Sequence, residues 1–172
     1  KDNLPEFIIV HHSGGTDANP LEDTSHHTAQ IMENYHLSLG WEGLGYQYVI
    51  HKDGTIWLGR PEQYHGGHTV NYNKRSIGIC LAGNFDATLP TKEQEASLVS
   101  LMKEVQTRYA VPLQNIVPHR TFANKTCYGS KLANDWAKNL LLTPPAPITA
   151  KAIILKRLDE LKKLVEALPD NL

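Results

Sequence analysis

Two histidines and one cysteine of this 172-residue chain stand where they could bind one metal ion together. His11 directly follows the apolar run 7–10, and His119 follows the short apolar segment 116–118. Cys127 comes eight residues after His119, which is far enough for a loop to turn back. Neutral imidazole and thiolate are ligands that suit zinc, and three of them leave one tetrahedral position for water, as in catalytic zinc sites.

Other interpretations of these residues stay open at this point. The chain has nine histidines, and solvated histidines with a stray loop thiol would explain the same residues. Alternatively, Cys127 is a nucleophile and His119 is its base, as in Cys-His hydrolases. His12 competes with His11 for the metal, but neighbouring strand residues point to opposite faces, so only one of them can reach it. Cys80 lies in an apolar run and is expected in the core.

The elements that must position these residues can be predicted from hydrophobic periodicity and turn signals. Asp53-Gly54 between two β-rich segments predicts a hairpin with Tyr46 at its open end. The segment 91–94, with Thr first and Gln last, is typical of a capping box that opens a long helix. Strands are predicted at 7–10, 46–50, 55–58, 76–82 and 116–117, and the apolar stripe of the long helix at Leu98, Met102, Val105 and Tyr109.

Two further helices are predicted from spacing and end signals. The first is capped by Thr24 or Ser25 and ends at Gly40, and its apolar positions are Ile31, Tyr35 and Leu39. The second begins near Ser130, and its apolar positions are Leu132, Trp136 and Leu140. Alternating strands and helices predict an α/β fold, with a mixed central β-sheet and helices on both faces. In such sheets, ligands gather at the carboxyl ends of strands.

The C-terminal part of the chain is predicted to lie outside this fold. We expect a catalytic domain at 1–142, a stiff Pro-rich linker at 143–149 and an amphipathic helix at 150–172. The helix carries a heptad-like seam of Ile154, Leu158, Leu161, Val165 and Leu168. The seam predicts either a homodimer through this helix or a helix folded back onto its own domain.

Composition excludes some partners. Seventeen Lys and Arg balance 18 Asp and Glu, so the net charge indicates no nucleic acid partner. The longest apolar runs are far shorter than the roughly 20 residues that span a bilayer, so no membrane insertion is expected. The chain begins with Lys1 rather than Met, which predicts that a signal peptide or another upstream segment has been removed. Trp41 and Trp57 are expected to pack in the core rather than line a sugar groove.

The motifs around these residues resemble the type 2 N-acetylmuramoyl-L-alanine amidases, the family that includes amidase-type phage lysozymes and animal peptidoglycan recognition proteins. The resemblance runs from about Phe7 to Leu141 and departs from the family at Tyr128, where the family often has proline. In chain order the matching segments are IVHHS at 9–13, GYQYVI at 45–50, DGT at 53–55, GH at 67–68, YN at 72–73, SIGICLAGNF at 76–85, PH at 118–119 and KTC at 125–127.

The resemblance implies a zinc-dependent hydrolase with the fold of this family. It implies that His11, His119 and Cys127 are the Zn²⁺ ligands and that Tyr46 and Lys125 are catalytic. On this basis the lysine would stabilise the oxyanion, and the tyrosine, whose phenol is a poor base at neutral pH, would position water or the oxyanion.

The substrate implied by the resemblance is bacterial peptidoglycan, cut between N-acetylmuramic acid and L-alanine. His68 and Asn73 are candidates for substrate binding on a groove wall. The expected location is the bacterial cell wall, reached by a phage endolysin released in the host or by a secreted or periplasmic enzyme. A non-catalytic peptidoglycan-binding module is the main alternative, because some members bind muropeptides without the cysteine ligand. A regulatory protein partner, known for some phage members, is another.

Overall fold

The computed structural model describes residues 2–143 and, beyond them, residues 154, 155, 157, 158, 161 and 162. In chain order its strands and α-helices are β1 (Phe7–His12), α1 (Ala29–Ser38), β2 (Tyr48–Ile50), β3 (Ile56–Leu58), β4 (Ser76–Leu81), α2 (Lys92–Tyr109), β5 (Ile116–Pro118) and α3 (Trp136–Leu142). Two short 3-10 helices flank β5, at Leu113–Asn115 and His119–Thr121.

The five strands form one sheet in the order β3-β2-β4-β1-β5. β1 pairs in parallel with β4 and with β5, and β2 pairs in parallel with β4. β3 runs antiparallel to β2 and closes the predicted Asp53-Gly54 hairpin. The carboxyl ends of β1 and β5 therefore lie side by side at one edge of the sheet, which is where the sequence predicted the metal ligands.

Helices cover both faces of the sheet, as predicted. Ile8 and Val10 of β1 point to the face that packs against α2 and α3 in the larger core. Val49 and Cys80 lie on the opposite face and pack with Ala29 and Met32 of α1 in a smaller core. Cys80 is fully buried there, which confirms the prediction that it is a core residue. The mixed α/β fold is confirmed.

The long helix α2 begins as its sequence predicts. The Thr91 hydroxyl accepts a hydrogen bond from Gln94 N, and the Gln94 side chain accepts one from Thr91 N, which completes the capping box. The predicted apolar stripe at Leu98, Met102 and Val105 is buried against the sheet. This helix holds the larger core together.

The prediction for α1 was wrong at its start and in its buried face. The helix is capped by Thr28, whose hydroxyl accepts a hydrogen bond from the backbone amide three residues later, Ile31 N. Thr24 is buried and hydrogen-bonds Ser13 instead of capping a helix. The helix ends as predicted before Gly40, which has a positive φ of 81°. The predicted stripe, Ile31, Tyr35 and Leu39, is exposed, and the buried residues are Ala29, Met32 and His36.

His36 explains why the periodicity misled the prediction for α1. Its ring is buried, and its Nδ1 accepts a hydrogen bond from Gly45 N. This bond lets a polar residue turn to the sheet, while the apolar residues spaced at four face solvent. Trp41 stacks on His36 with 41% of its surface exposed, and Trp57 is 52% exposed. The expectation that these tryptophans are core residues was therefore wrong.

α3 begins at Trp136 rather than near Ser130, and so this boundary was also wrong. Leu132 is buried as expected, but it lies in the turns that precede the helix. The backbone carbonyls of Gly129 and Leu132 accept hydrogen bonds from the Arg120 side chain, and the residues between Gly129 and Trp136 form turns and bends rather than a helix.

The predicted linker falls largely outside the described residues. Thr143 is described and follows α3, whereas residues 144–150 are not. Of the heptad seam, Ile154, Leu158 and Leu161 are helical and about half exposed, and the other two positions lie outside the described residues. The domain division and the homodimer stay predictions. Among the described residues no helix has the length and apolarity needed to cross a membrane.

Candidate active site

Three side chains that could hold a metal ion meet at the carboxyl edge of the sheet. His11 is near the end of β1, His119 opens the 3-10 helix after β5, and Cys127 returns on the following loop. One donor atom from each lies within 4.8 Å of the others. Cys127 Sγ is 3.7 Å from His11 Nδ1, and the rings of His11 and His119 are 4.5 Å apart between centroids. The structure thus brings together the three residues that the sequence predicted to share one metal ion.

The geometry and chemistry of this cluster fit a metal such as zinc. Tetrahedral zinc with ordinary bond lengths separates a nitrogen ligand from a sulfur ligand by about 3.5 Å, close to the 3.7 Å between His11 and Cys127. The donor set, two imidazoles and one thiol, is also one that suits zinc. Three ligands would leave the fourth position open, which is the arrangement of a catalytic site.

The electrostatics of the cluster keep the histidines neutral, as metal ligands must be. Burial lowers the pKa of His11 well below its usual value, and His68 and His119 lower it further. Burial also lowers the pKa of His119 to about 4, with a smaller effect from Lys125. Burial raises the pKa of Cys127 to about 12, so this residue is a thiol in the absence of metal. Metal binding would release its proton.

His12 does not take part in the cluster. It points to the opposite face of β1, where its Nδ1 accepts a hydrogen bond of 3.0 Å from Phe85 N. Only the His12 carbonyl approaches the site, at 3.9 Å from Cys127 Sγ. The alternation of side chains along β1 therefore separates the two adjacent histidines, as the sequence predicted.

The Arg120 guanidinium holds the loop that carries Cys127. Its Nη1 donates to the carbonyls of Thr126 and Gly129, at 2.9 and 2.8 Å, and its Nη2 donates to Leu132 O. Arg120 N also donates to Cys127 O at 2.7 Å. Because Arg120 follows His119 directly, the segment that carries the His119 imidazole also fixes the loop that carries Cys127.

Asp86 and Tyr128 hold the same loop from its other side. Asp86 accepts hydrogen bonds from the Thr126 hydroxyl at 2.8 Å and from Ser130 N at 2.7 Å. Tyr128 is fully buried, and its hydroxyl donates to the carbonyls of the 133–134 turn. The departure from the family pattern at position 128 thus places an aromatic ring in the core directly after Cys127.

The two side chains with proposed catalytic roles flank the cluster. The Tyr46 ring lies 5.1 Å from the His11 ring. Burial raises the pKa of its phenol well above the usual value, and the Cys80 and Cys127 sulfurs raise it further. Lys125 is exposed, and its ammonium is near enough to lower the pKa of His119. Tyr46 is therefore neutral, and Lys125 and Arg120 are cationic neighbours of the cluster.

His68 and Asn73, predicted as substrate-binding residues, make contacts within the protein. His68 is buried, and its Nδ1 lies 3.0 Å from His11 Nε2. Asn73 Oδ1 accepts hydrogen bonds from the backbone amides of His68 and Thr69, both at 2.8 Å. Their contact with substrate stays a prediction, and the structure adds a direct contact between His68 and His11 of the candidate metal cluster.

Sequence reasoning missed the residues that position the cysteine loop. Arg120 was visible only as the residue after His119, and nothing in its type or spacing indicated that it would bind carbonyls up to twelve residues away. Asp86 lies more than 30 residues before the loop that it holds, so no local pattern could connect them. The contact between His11 and His68 likewise joins segments 57 positions apart.

A mostly parallel sheet with two histidines and a cysteine at its carboxyl edge is an arrangement that could hold a catalytic metal ion. Comparisons with known proteins identify the family to which the chain belongs. The family model described as N-acetylmuramoyl-L-alanine amidase matches residues 1–130. The endolysin of Enterobacteria phage T3 is 36% identical over 144 residues, which cover 80% of this chain and 89% of the phage protein.

Solved structures show the same relationship. The N-acetylmuramoyl-L-alanine amidase LysC from Clostridium intestinale URNW superposes with a TM-score of 0.71 at 30% identity, covering 82% of this chain and 87% of LysC. A Drosophila PGRP-LB mutant in complex with tracheal cytotoxin superposes with a TM-score of 0.64 at 26% identity, covering 86% and 85%. The chain belongs to the N-acetylmuramoyl-L-alanine amidase family.

Replacing Arg120 with methionine should weaken metal binding, because the carbonyls of the cysteine loop would lose a shared donor. We expect zinc affinity to fall about 10-fold or more, as it does when residues behind metal ligands are lost. Competition with a chromogenic chelator measures it. Arg108→Met is the matched control, since Arg108 pairs with Glu62 away from the cluster. Equal zinc affinity in the two variants would contradict the role of Arg120.

Proposed function

We propose that this protein is a zinc-dependent N-acetylmuramoyl-L-alanine amidase that hydrolyses the amide between N-acetylmuramic acid and L-alanine in bacterial peptidoglycan. The observation that carries the proposal is the cluster of His11, His119 and Cys127, whose donor atoms lie within 4.8 Å of one another. Membership of the amidase family supports the choice of reaction, and the cluster could bind the metal ion that the reaction needs.

The chemistry of amide hydrolysis requires an activated water and a stabilised oxyanion. When bound, zinc polarises a carbonyl and lowers the pKa of water toward neutrality. The three protein ligands supply two neutral donors and one anionic donor, so the occupied site would keep a net positive charge. That charge favours the oxyanion that develops as the amide carbon is attacked.

Lys125 is the proposed second source of positive charge for the oxyanion. It is exposed beside the cluster, and it is two residues from Cys127 on the same loop. Its effect on the pKa of His119 and Cys127 supports a position within electrostatic range of both. The loop contacts of Arg120 and Asp86 would also hold the backbone that carries this ammonium.

Tyr46 is proposed to position water or the carbonyl group rather than to accept a proton. The raised pKa of its phenol makes it a hydrogen-bond donor throughout the neutral range. Its ring lies between His11 and His36, at centroid distances of 5.1 and 5.6 Å, which limits how far it can turn. A fixed donor beside the metal site suits the orienting role.

The alternative in which Cys127 is a nucleophile receives little support from its environment. Reactive cysteines have a lowered pKa, which keeps them as thiolates near neutral pH. Burial instead raises the pKa of Cys127 to about 12. A metal would stabilise the thiolate as a ligand, whereas a free thiol at this position would be mostly protonated and inert.

The relatives indicate the setting in which the enzyme would act. Several are phage endolysins, including those of Escherichia phage T7 and Enterobacteria phage T3. This favours a role in lysis of the bacterial cell wall, after release in a phage host or after secretion. Peptidoglycan is the proposed partner, and the PGRP-LB relative, which is in complex with tracheal cytotoxin, is consistent with it.

Digestion of purified peptidoglycan tests the proposal. The protein should release free stem peptides that begin with L-alanine, identified by mass spectrometry. A chelator should abolish the release, and zinc should restore it, whereas magnesium, which prefers oxygen ligands, should not. Binding to peptidoglycan without cleavage under any of these conditions would favour a recognition module instead.

Replacing Cys127 with aspartate separates the metal mechanism from the thiol mechanism. A carboxylate can bind zinc but cannot form a thioester, so Cys127→Asp should keep measurable zinc binding and amidase activity. Cys127→Ala should lose both. If the aspartate variant binds zinc as tightly as the original protein and yet has no activity, the sulfur itself takes part in the reaction.

Replacing Lys125 with methionine should lower kcat by about 100-fold or more, because removal of one oxyanion-stabilising group costs that much in other enzymes. Zinc affinity should change little, and Lys125→Arg should restore part of kcat. Lys103→Met, which removes an exposed charge from α2, is the control. A rise in KM with kcat unchanged would mean that Lys125 binds substrate and does not act on the oxyanion.

A further inference from the structure

The His68 ring packs against the sheet beside His11 of the proposed metal site. It is buried on the face of β1 and β4 that carries His11 and Gly78. A Cβ atom at Gly78 would lie 2.5 Å from the His68 ring, and one at Gly66 would lie 2.4 Å from it. Both positions therefore need glycine because of the space that this imidazole occupies. The protein leaves room for the ring at two separate points of its backbone.

The segment that carries His68 is fixed at several further points. Asn73 Oδ1 accepts hydrogen bonds from the backbone amides of His68 and Thr69. Tyr72 stacks on Phe122 with 3.6 Å between ring centroids, which joins this segment to the loop between His119 and Cys127. The hydrogen bonds to Asn73 and the stacking of Tyr72 therefore hold the segment around His68 in place without any contribution from a substrate.

The hydrogen bonds of Ser76 determine which nitrogen of His68 carries a proton. The Ser76 hydroxyl donates its proton to Tyr72 O at 2.7 Å. Toward His68 Nε2, which is 3.4 Å away, the Ser76 oxygen can therefore only accept a hydrogen bond. In this arrangement His68 Nε2 is the donor. In a neutral imidazole one nitrogen donates and the other accepts, so a proton on His68 Nε2 leaves a lone pair on Nδ1, which acts as an acceptor. Its contacts at Nδ1 are His11 Nε2 and the Thr69 hydroxyl, both at 3.0 Å.

The tautomer of His68 determines the tautomer of His11. If His68 Nδ1 is an acceptor, His11 Nε2 carries the proton and donates to it across 3.0 Å. The neutral His11 ring then has its lone pair on Nδ1, which is the nitrogen 3.7 Å from Cys127 Sγ. The hydrogen bonds from Ser76 through His68 thus leave the lone pair of His11 facing the cysteine ligand.

We propose that His68 is a positioning residue for the metal site: it accepts a hydrogen bond from His11 Nε2 and so fixes the orientation and tautomer in which His11 Nδ1 binds the metal. The inference rests on the proposed zinc site. It gives His68 a role different from the substrate contact expected from the sequence. A histidine ligand whose second nitrogen is bonded is a better and more rigid ligand.

Zinc affinity measured by chelator competition tests this role in three variants. His68→Leu removes the acceptor, and we expect zinc to bind about 10- to 100-fold more weakly. His68→Asn can place a carbonyl oxygen near the position of Nδ1, and it should recover part of the affinity. His51→Leu is the control, because His51 Nε2 also accepts a backbone hydrogen bond, from Ala29 N, at a position outside the cluster. It should leave zinc affinity within about twofold.

Nitrogen-15 NMR of the zinc-loaded original protein provides a measurement that needs no variant. The expected spectrum shows the His11 proton on Nε2 and the His68 proton on Nε2. A His11 ring with its proton on Nδ1 would overturn the proposal, even if the leucine variant does not fold. Unchanged zinc affinity in folded His68→Leu, with KM raised for peptidoglycan fragments, would overturn it in favour of substrate binding. If the original protein binds no zinc at all, the proposed metal site fails first.

Discussion

The parallel pairing of β1 and β5 is the constraint on which the candidate site depends. Because both strands run in the same direction and are neighbours, the residues at their carboxyl ends emerge side by side. His11 and His119 are separated by more than 100 positions in sequence, yet their rings approach to 4.5 Å. No local interaction could bring them together. The two cores on either face of the sheet therefore contribute to the site by stabilising this pairing.

The third donor needs a different device, since Cys127 lies on a loop and not on a strand. The loop has little regular structure, and its backbone groups are instead satisfied by side chains. Arg120 binds carbonyls on one side, and Asp86 binds a hydroxyl and an amide on the other. Tyr128 anchors the next residue in the core. A mobile loop would lose conformational entropy on binding metal, and these contacts would reduce that loss at the proposed metal site.

Much of this architecture could be predicted from the sequence, for physical reasons that differ between elements. Continuous apolar runs identified β1 and β4, because a strand that is buried on both faces is apolar at nearly every position. The capping box of α2 is a local signal, and it was read correctly at Thr91. The buried face of α1 was predicted wrongly, because a hydrogen bond to Gly45 N lets His36 replace an apolar residue there. Hydrophobic periodicity alone does not reveal a polar residue at a buried helix position.

The site shows the same division between local and long-range information. His11, His119 and Cys127 could be proposed because each follows a recognisable strand or matches a family motif. The contacts of His68 with His11 and of Asp86 with Thr126 depend on tertiary structure, and the sequence carries no pattern that pairs them. His68 was recognised as a residue of interest, but its position behind a proposed metal ligand became visible only in the folded chain.

Anomalous diffraction across the zinc edge, from crystals of the protein grown with zinc, would locate the metal directly. We expect one strong peak at the carboxyl edge of the sheet, about 2.0 Å from His11 Nδ1 and from a ring nitrogen of His119, and about 2.3 Å from Cys127 Sγ. The absence of a peak between these three residues, or a peak only at surface histidines, would contradict it.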